Sequence, residues 1–454
     1  MAQKPAYHLT FLTDKEMIRR VVPGEPPWQR LAKTEGGTGV TDQIASHADL
    51  PPESPDLADV PELDLFGDEY AADAAGTVRR LRDDRGLARS VRGIEVLTYE
   101  RAKQLLAHPH AAATMRDYYI SEGATPLVLD YIDNGLLAWI EGDRHRRIRA
   151  VMERAFSLRS VDQQRVTMRE VANRMIDRIL DTAAVDFVAG FTYWYPIEVL
   201  ARLIGVPVAD VPRFVHASAQ MSALATVPLA PVLPRLEAAI RELTSYVADL
   251  LEERAKVPGD DLVSALIEAG ESLGTLSRDE LVANIINVLM GGHDTTKLQL
   301  ASCVHELASR PGGWRRLRSD GTFTARCLEE SLRFAPAVPW ELRVPEVDIE
   351  ADRLSIAAGT RVVVNAYAAN RDPAAFDEPD VFDPDRPRHH QHLAFGRGRH
   401  VCIGNSLARA EMEEALLALA ARIEDVQVAG EVTWSGPADA LAGPVSLPLS
   451  LQPR

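Results

Sequence analysis

Phe395-Gly-Arg-Gly-Arg-His-Val-Cys402-Ile-Gly404 is the stretch on which the reading of the whole chain turns. Three glycines beside one cysteine imply a tight turn in which backbone comes close to another group. The run that follows, SLARAEMEEALLALAARI (406–423), carries apolar residues at helical spacing, so Cys402 stands just before a helix N-terminus. Free amides and the helix dipole there favour a thiolate over a thiol. A thiolate so placed is a ligand for a soft metal or for haem iron. A lone cysteine is more often a small core hydrophobe. That plainer reading applies to Cys303 and Cys327.

Working outward, the bulk composition narrows the classes. Of 454 residues, 46% are hydrophobic and 26% charged, ample for a large core and ordinary for a globular protein. Length alone would suggest two or three domains. No run approaches the ~18 consecutive apolar residues of a membrane span. The start, MAQKPAYHLTFLTDKEMIRR, lacks a signal peptide's apolar block. A soluble, cytoplasmic protein without membrane contact is expected. With 50 basic and 66 acidic side chains the net charge is −16, which disfavours general nucleic-acid binding. Three cysteines cannot build a disulfide framework, and no CxxC pair offers structural zinc.

Residues 1–60 show little periodicity and many Gly, Pro and acidic residues, and read as a poorly structured leader, with Phe11, Ile18 and Trp28 as the side chains able to pack onto the body. From about 75 to 335 the pattern is mostly helical, as in SVDQQRVTMREVANRMIDRILDTA and PRLEAAIRELTSYVADLLEERAK. Short strands are expected at IEVLTY (94–99) and TRVVVNAYAA (360–369), and irregular chain over 370–401. The fold class is mainly α (α+β), with one domain over 61–454.

Ser277-Arg-Asp-Glu280 has the form of a capping box, opening a helix that runs through ELVANIINVLMGGHDTTKLQLASCVHELASR. Gly291 and Gly292 in its middle cost about 1 kcal/mol each relative to alanine. Close helix packing explains such glycines about as often as function does. Asp294, Thr295 and Thr296 follow at once, which points to a widened turn beside a ligand. Glu330 and Arg333, at i and i+3 of a helix over about 323–334, share a face and would commonly form a solvated pair. His145 and Arg149 lie four apart, a spacing equally natural on a basic surface helix.

The cysteine stretch resembles the haem-binding loop of the cytochrome P-450 family, Phe-Gly-x-Gly-x-His-x-Cys-x-Gly, at all six named positions. Chance would produce that match about 10⁻⁵ times in such a chain. The resemblance implies the cytochrome P-450 fold, a large helical domain with a small β-rich region, and haem b with Cys402 as iron ligand. Phe395 and Gly404 would frame the haem, and His400 would meet a propionate. Gly291-Gly-His-Asp-Thr295 resembles the family's oxygen-binding groove, where the threonine serves dioxygen and Asp294 relays protons. Glu330 and Arg333 match its ExxR pair, with Arg386 of FDPDRP as third partner, holding the cysteine loop. Ala369-Asn-Arg-Asp-Pro373, with Phe376 and Pro379, is similar to the approach to that loop. His145, Arg149 and Arg343 match propionate-binding positions, although the prolines usual before the first of these are replaced by Gly142 and Asp143.

The resemblance covers roughly 75–454. It implies a soluble bacterial-type monooxygenase that hydroxylates a small or mid-sized organic molecule. Electrons would come from NAD(P)H through a separate ferredoxin and ferredoxin reductase, since the haem domain uses the chain. Desaturation, dealkylation or oxidative coupling by the same iron are alternatives, and a non-catalytic haem sensor is a remote one. Substrate would meet Asn287, Met290, Val338 and Trp340. Arg144, Arg146, Arg147, Arg397 and Arg399 would form a basic island for the ferredoxin. His389, His390 and His392 lack a partner set for a metal site.

Overall fold

Ser277 accepts the Glu280 amide at 3.1 Å while Glu280 accepts the Ser277 amide at 3.0 Å, and this reciprocal cap starts the helix Arg278–Ala308. The computed structural model describes residues 59–113, 116–182, 184–225, 229–273, 276–387 and 391–454. The expected leader, apart from its last two residues, lies outside the described residues, as do His389 and His390.

The long helix is buried on nearly every side, which its apolar composition all round requires. It packs against the helices Pro126–Gly135, Tyr195–Ile204, Leu233–Lys256 and Phe323–Phe334. Two glycines allow the close approach. A Cβ on Gly135 would lie 2.8 Å from the Ala283 Cβ, and one on Gly292 would lie 3.0 Å from a Leu200 methyl. A Cβ on Gly291 would meet nothing within 4 Å. The two adjacent glycines therefore do different things: Gly292 packs, and Gly291 borders open space. The turn itself is ordinary α-helix, not the widened turn expected from sequence. The Thr295 hydroxyl donates to the Gly291 carbonyl at 2.6 Å, the back-bonding common to mid-helix threonine.

The helix Leu158–Leu180 starts at Ser157, whose hydroxyl accepts the Ser160 amide, and packs along Asn405–Arg422. A five-stranded sheet runs in the order Leu87–Ser90, Gly93–Val96, Val362–Val364, Glu341–Pro345, Ala111–Ala112. Its second and third strands pair in parallel and the rest antiparallel. Both expected strands are shorter than their sequence patterns. After Val96 the chain turns into the helix Tyr99–Ala107, because Asp372 Oδ2 accepts the Tyr99 amide at 2.8 Å and caps it. After Val364, Asn365 caps the turn Ala366–Ala369 by accepting the Ala368 amide at 2.9 Å. Among the described residues no helix is long and apolar enough to cross a membrane.

Glu411, on the helix Asn405–Arg422, is 1% exposed, and its Oε1 has no hydrogen-bond partner among the described residues. Burial pushes its carboxyl well above the usual range, so the folded protein keeps it protonated. A raised folded pKa means that the fold holds a proton the unfolded chain releases, and stability falls as pH rises from the unfolded value. Glu411→Gln is expected to raise the thermal midpoint at neutral pH by about 2 °C and to flatten its decline toward alkaline pH. An unchanged pH dependence would show that the carboxyl is not the group responsible.

Candidate functional site

Gly396 and Gly398 of the cysteine loop have φ of 66° and 74°, a region that favours glycine. Side chains there would also collide: a Cβ on Gly398 would lie 2.7 Å from the Leu106 carbonyl oxygen, and one on Gly396 2.8 Å from Glu341 Oε1. The turn brings the Cys402 amide within 2.8 Å of the Phe395 carbonyl. The Arg409 guanidinium lies 4.5 Å from the Phe395 ring centroid, on a loop followed at once by the helix Asn405–Arg422. Cys402 itself is exposed at the mouth of this turn. Protein crowded around the thiol raises its pKa, against the Gly404 amide and the Arg149 guanidinium, which lower it.

The helix Gly142–Ala155 supplies the second side of the site. Arg149 Nη1 donates to the Val401 carbonyl at 2.8 Å, the residue before the cysteine. The His145 and His400 rings lie 4.6 Å apart. His145 is buried, and its pKa is pushed down to about 4 by that burial and by the neighbouring His400 and Arg149. Glu141, just before this helix, bonds His400 Nε2 at 3.0 Å, accepts from Arg399 Nε at 2.8 Å and accepts the Ala113 amide at 2.9 Å. Burial would raise Glu141, but these donors outweigh it and hold it at about 2. Arg343 Nη2 donates to Glu341 Oε2 at 2.8 Å across adjacent same-face positions of one strand. Three buried nitrogen atoms here have no hydrogen-bond partner among the described residues: His145 Nε2, His400 Nδ1 and Arg343 Nε.

Glu330 and Arg333 are fully buried and joined by two hydrogen bonds of 2.8 Å. Arg386 Nε reaches Glu330 Oε1 at 3.3 Å, so the residue singled out from FDPDRP is the third partner in space. Arg333 also donates to the Asn370, Pro379 and Val381 carbonyls, and Asn370 Oδ1 accepts the Leu393 amide at 2.8 Å. The irregular chain leading to the cysteine loop is thereby bound to a helix. His392 is tied to the same helix, 3.3 Å from Glu329 Oε2.

On the long helix, Asn287, Gly291 and Thr295 recur every fourth residue on one face. Asn287 is half-buried and makes no hydrogen bond to any described residue. Asn284, by contrast, donates to the Glu280 and Asn134 carbonyls. Met290 packs against the main apolar core, and Val338 is half-buried. Trp340 is engaged elsewhere: its indole N–H donates to the Asp439 carbonyl at 2.8 Å and the Arg92 guanidinium covers its ring at 4.5 Å. That geometry gives no support to the expected substrate contact by Trp340.

Four of the five arginines expected to form a basic island also meet acids. Arg144 and Arg147 both pair with Glu280, Arg146 with Asp143 and Arg399 with Glu141. Arg397 alone of the five makes no ion pair or hydrogen bond among the described residues; with Lys103 and Arg409 it lines a groove beside the cysteine loop. Two carboxylates at the site, Glu141 and Glu341, were not sequence candidates. Their signals were there: an acid immediately before the His145 helix, and Glu-x-Arg alternation in a strand.

Residues 211–422 match the family model described as Cytochrome P-450. The chain is 32% identical over 399 residues to luteothin monooxygenase of Streptomyces thioluteus, covering 87% of this chain and 97% of that one. It is 35% identical over 322 residues to nocardicin C N-oxygenase of Nocardia uniformis subsp. tsuyamanensis, covering 70% of this chain and 79% of the relative. Among solved structures, CalO2 superposes with a TM-score of 0.79 at 27% identity, over 87% of this chain and 100% of that one. CxnD, an enzyme for C–S bond formation in chuangxinmycin biosynthesis, superposes with a TM-score of 0.77 at 26% identity, over 87% and 99%.

Proposed function

Because the chain belongs to the cytochrome P-450 family and is a haem monooxygenase, we propose that Cys402 is its iron ligand and that it oxidises a mid-sized, partly polar organic molecule with electrons from a separate ferredoxin system. The observation that carries the site assignment is the set of unpartnered buried nitrogens, His145 Nε2, His400 Nδ1 and Arg343 Nε, beside the cysteine loop. Two carboxylate arms are what such donors lack, and the haem propionates fit them. Gly291 bordering open space fits a flat group lying against the long helix. When bound, the haem supplies an iron that activates dioxygen with electrons delivered from outside.

The chain's own residues do the rest. Arg149 and the glycine turn orient the Cys402 sulfur, and Glu330 with its two arginines keeps the preceding chain in place. Thr295 holds a hydroxyl proton at the Gly291 carbonyl and can turn it toward the open side. Asp294, the residue just before it, is the group that passes protons inward.

Asn287 would fix the substrate. Its amide is half-buried, bonds no described residue and stands on the helix face that borders open space, so it is placed to bond a ligand. A carbonyl or hydroxyl on the substrate would be its partner, one helical turn from Gly291. Asn287→Leu is expected to weaken substrate binding about tenfold, read from the haem spin-state titration, and to scatter the oxidised position. Preserved affinity and regioselectivity would remove the anchor.

For the electron donor, Arg397 is the exposed cation of the groove beside the cysteine loop, where Lys103 and Arg409 pair with Glu100 and Glu329, and it suits an acidic protein docking there. Arg397→Glu is expected to raise the ferredoxin concentration needed for half-maximal turnover about threefold or more and to weaken its salt dependence. No change in either would place docking elsewhere.

The relatives named above include an N-oxygenase and a C–S bond-forming enzyme, which keeps oxidative outcomes other than hydroxylation in play. Turnover of a substrate panel under isotopically labelled dioxygen separates them. One labelled oxygen atom in the product supports oxygen insertion; unlabelled dehydrogenated or coupled products overturn it in favour of the alternative.

A further inference from the structure

Arg92 stands in the turn between the strands Leu87–Ser90 and Gly93–Val96, far along the chain from every residue assigned a role above. Its side chain is only 11% exposed, and its Nε donates to Glu95 Oε1 at 2.9 Å. Glu95 is fully buried and also accepts the Ser90 hydroxyl at 2.6 Å and Asn365 Nδ2 at 3.1 Å. A carboxylate held from three sides fixes the guanidinium it pairs with. From there Arg92 reaches the C-terminal part of the chain. Its Nη1 donates to the Ala438 carbonyl at 3.2 Å, and the guanidinium lies 4.5 Å from the Trp340 ring centroid. The Trp340 indole N–H in turn donates to the Asp439 carbonyl at 2.8 Å. One arginine thus joins the segment 337–340 to the loop 436–442.

Both pieces lie at one end of the helix face that Asn287, Gly291 and Thr295 share. Gln299 is the next residue of that series, four after Thr295, and it is buried. Its Oε1 accepts the Ala337 amide at 3.0 Å, and the Ala337 carbonyl accepts the Ala442 amide at 2.9 Å. The strands Thr433–Ser435 and Gly443–Ser446 flank the loop, and a Cβ on Gly443 would lie 2.9 Å from the Leu298 Cβ. The open face of the long helix therefore ends where Gln299 takes hold of this wall. Val338 is half-buried between Ala337 and Pro339, whose carbonyl accepts the Tyr367 amide at 2.9 Å. Within the loop, Asp439 Oδ2 accepts the Ser435 hydroxyl and the Gly436 amide, which closes it into a compact turn. The ties at its tip, through the Ala438 and Asp439 carbonyls, lead to Arg92 and Trp340.

We propose that Arg92 is a positioning residue for the substrate: stacked on Trp340 and bonded to Ala438, it clamps loop and segment into one wall across the Thr295 end of the open face. The inference rests on the reading of that face as the side where substrate lies. Trp340 then acts on the bound molecule without touching it, by setting where Val338 stands. A wall fixed before binding spends no ordering entropy when the ligand arrives, so a molecule long enough to reach it binds more tightly and in one orientation. A ligand too short to reach it is indifferent to the clamp.

The test uses the haem-loaded full-length protein and two iron-binding probes, imidazole and 4-phenylimidazole, titrated by the shift of the Soret band. Imidazole reads the iron alone, whereas the phenyl ring extends into the space over the long helix. Arg92→Lys keeps a counter-charge for Glu95 but has no planar fork to stack and bond at once. Trp340→Phe keeps a ring beside the guanidinium but loses the N–H to Asp439. Each should weaken 4-phenylimidazole about fivefold, with imidazole affinity and thermal midpoint little changed. A lowered midpoint with the ratio of the two affinities unchanged would mark a merely structural contact and overturn the clamp. Gly291→Val fills the open side itself and should weaken 4-phenylimidazole whatever the clamp does. If it does so while Arg92→Lys and Trp340→Phe bind both probes as wild type does, the clamp is overturned and the reading of the open side stands. If Gly291→Val also binds both probes as wild type does, that reading falls, and the clamp with it.

Discussion

Cys402→Ala is expected to abolish the red-shifted Soret band of the reduced carbon monoxide complex and to reduce turnover to the haem-free background. That band needs a thiolate on iron, and the other two cysteines cannot provide it. Cys303 and Cys327 are fully buried with their sulfurs 3.7 Å apart, between the long helix and the ExxR helix. The neighbouring Cys303 and then burial push the Cys327 thiol well above its ordinary pKa, as befits a core residue. The Ala variant should still fold, because the turn is held by the Cys402 amide on the Phe395 carbonyl and by Arg149 on the Val401 carbonyl, neither of which uses the sulfur. A folded variant that kept the red-shifted band would end the ligand assignment.

Glu330→Gln should cost the fold more than any surface change. The carboxylate is fully buried and shared between Arg333 and Arg386, and it also accepts the Asp383 amide at 2.8 Å. A neutral amide of the same shape removes the charge that the buried Arg333 and Arg386 guanidiniums share, at a cost of about 3–5 kcal/mol. Those guanidiniums also bind the carbonyls of Asn370, Glu378, Pro379 and Val381, so their loosening reaches the chain that leads to Cys402. The expected result is a large drop in denaturant midpoint together with lowered haem content after expression. A variant with the wild-type midpoint would show that the arginines are held by their carbonyl contacts alone.

Much of the site was legible because its signals act over a single turn of chain. The glycines of the cysteine loop, the Ser277–Glu280 capping box and the Glu330–Arg333 spacing are each local constraints, and each has the geometry its pattern implies. Arg386 was found from its setting in FDPDRP, and it reaches Glu330. The two expected strands ended early for a reason that spacing does not carry: Asp372, far along the chain, caps the helix that follows the first.

The sequence by itself determined the mainly helical fold and the family and singled out Cys402 as the proposed iron ligand, since close-range backbone rules and one specific motif suffice for those. Tertiary structure alone decided the partners of the charges. Arg144 and Arg147 turn to Glu280, Arg399 and His400 to Glu141, Arg343 to Glu341 and Lys297 to Asp294. Which of several acids an arginine meets depends on which helices pack together and how much water their contact excludes. A count of charges along the chain therefore predicted a basic island without the acids that the folded protein sets among its arginines.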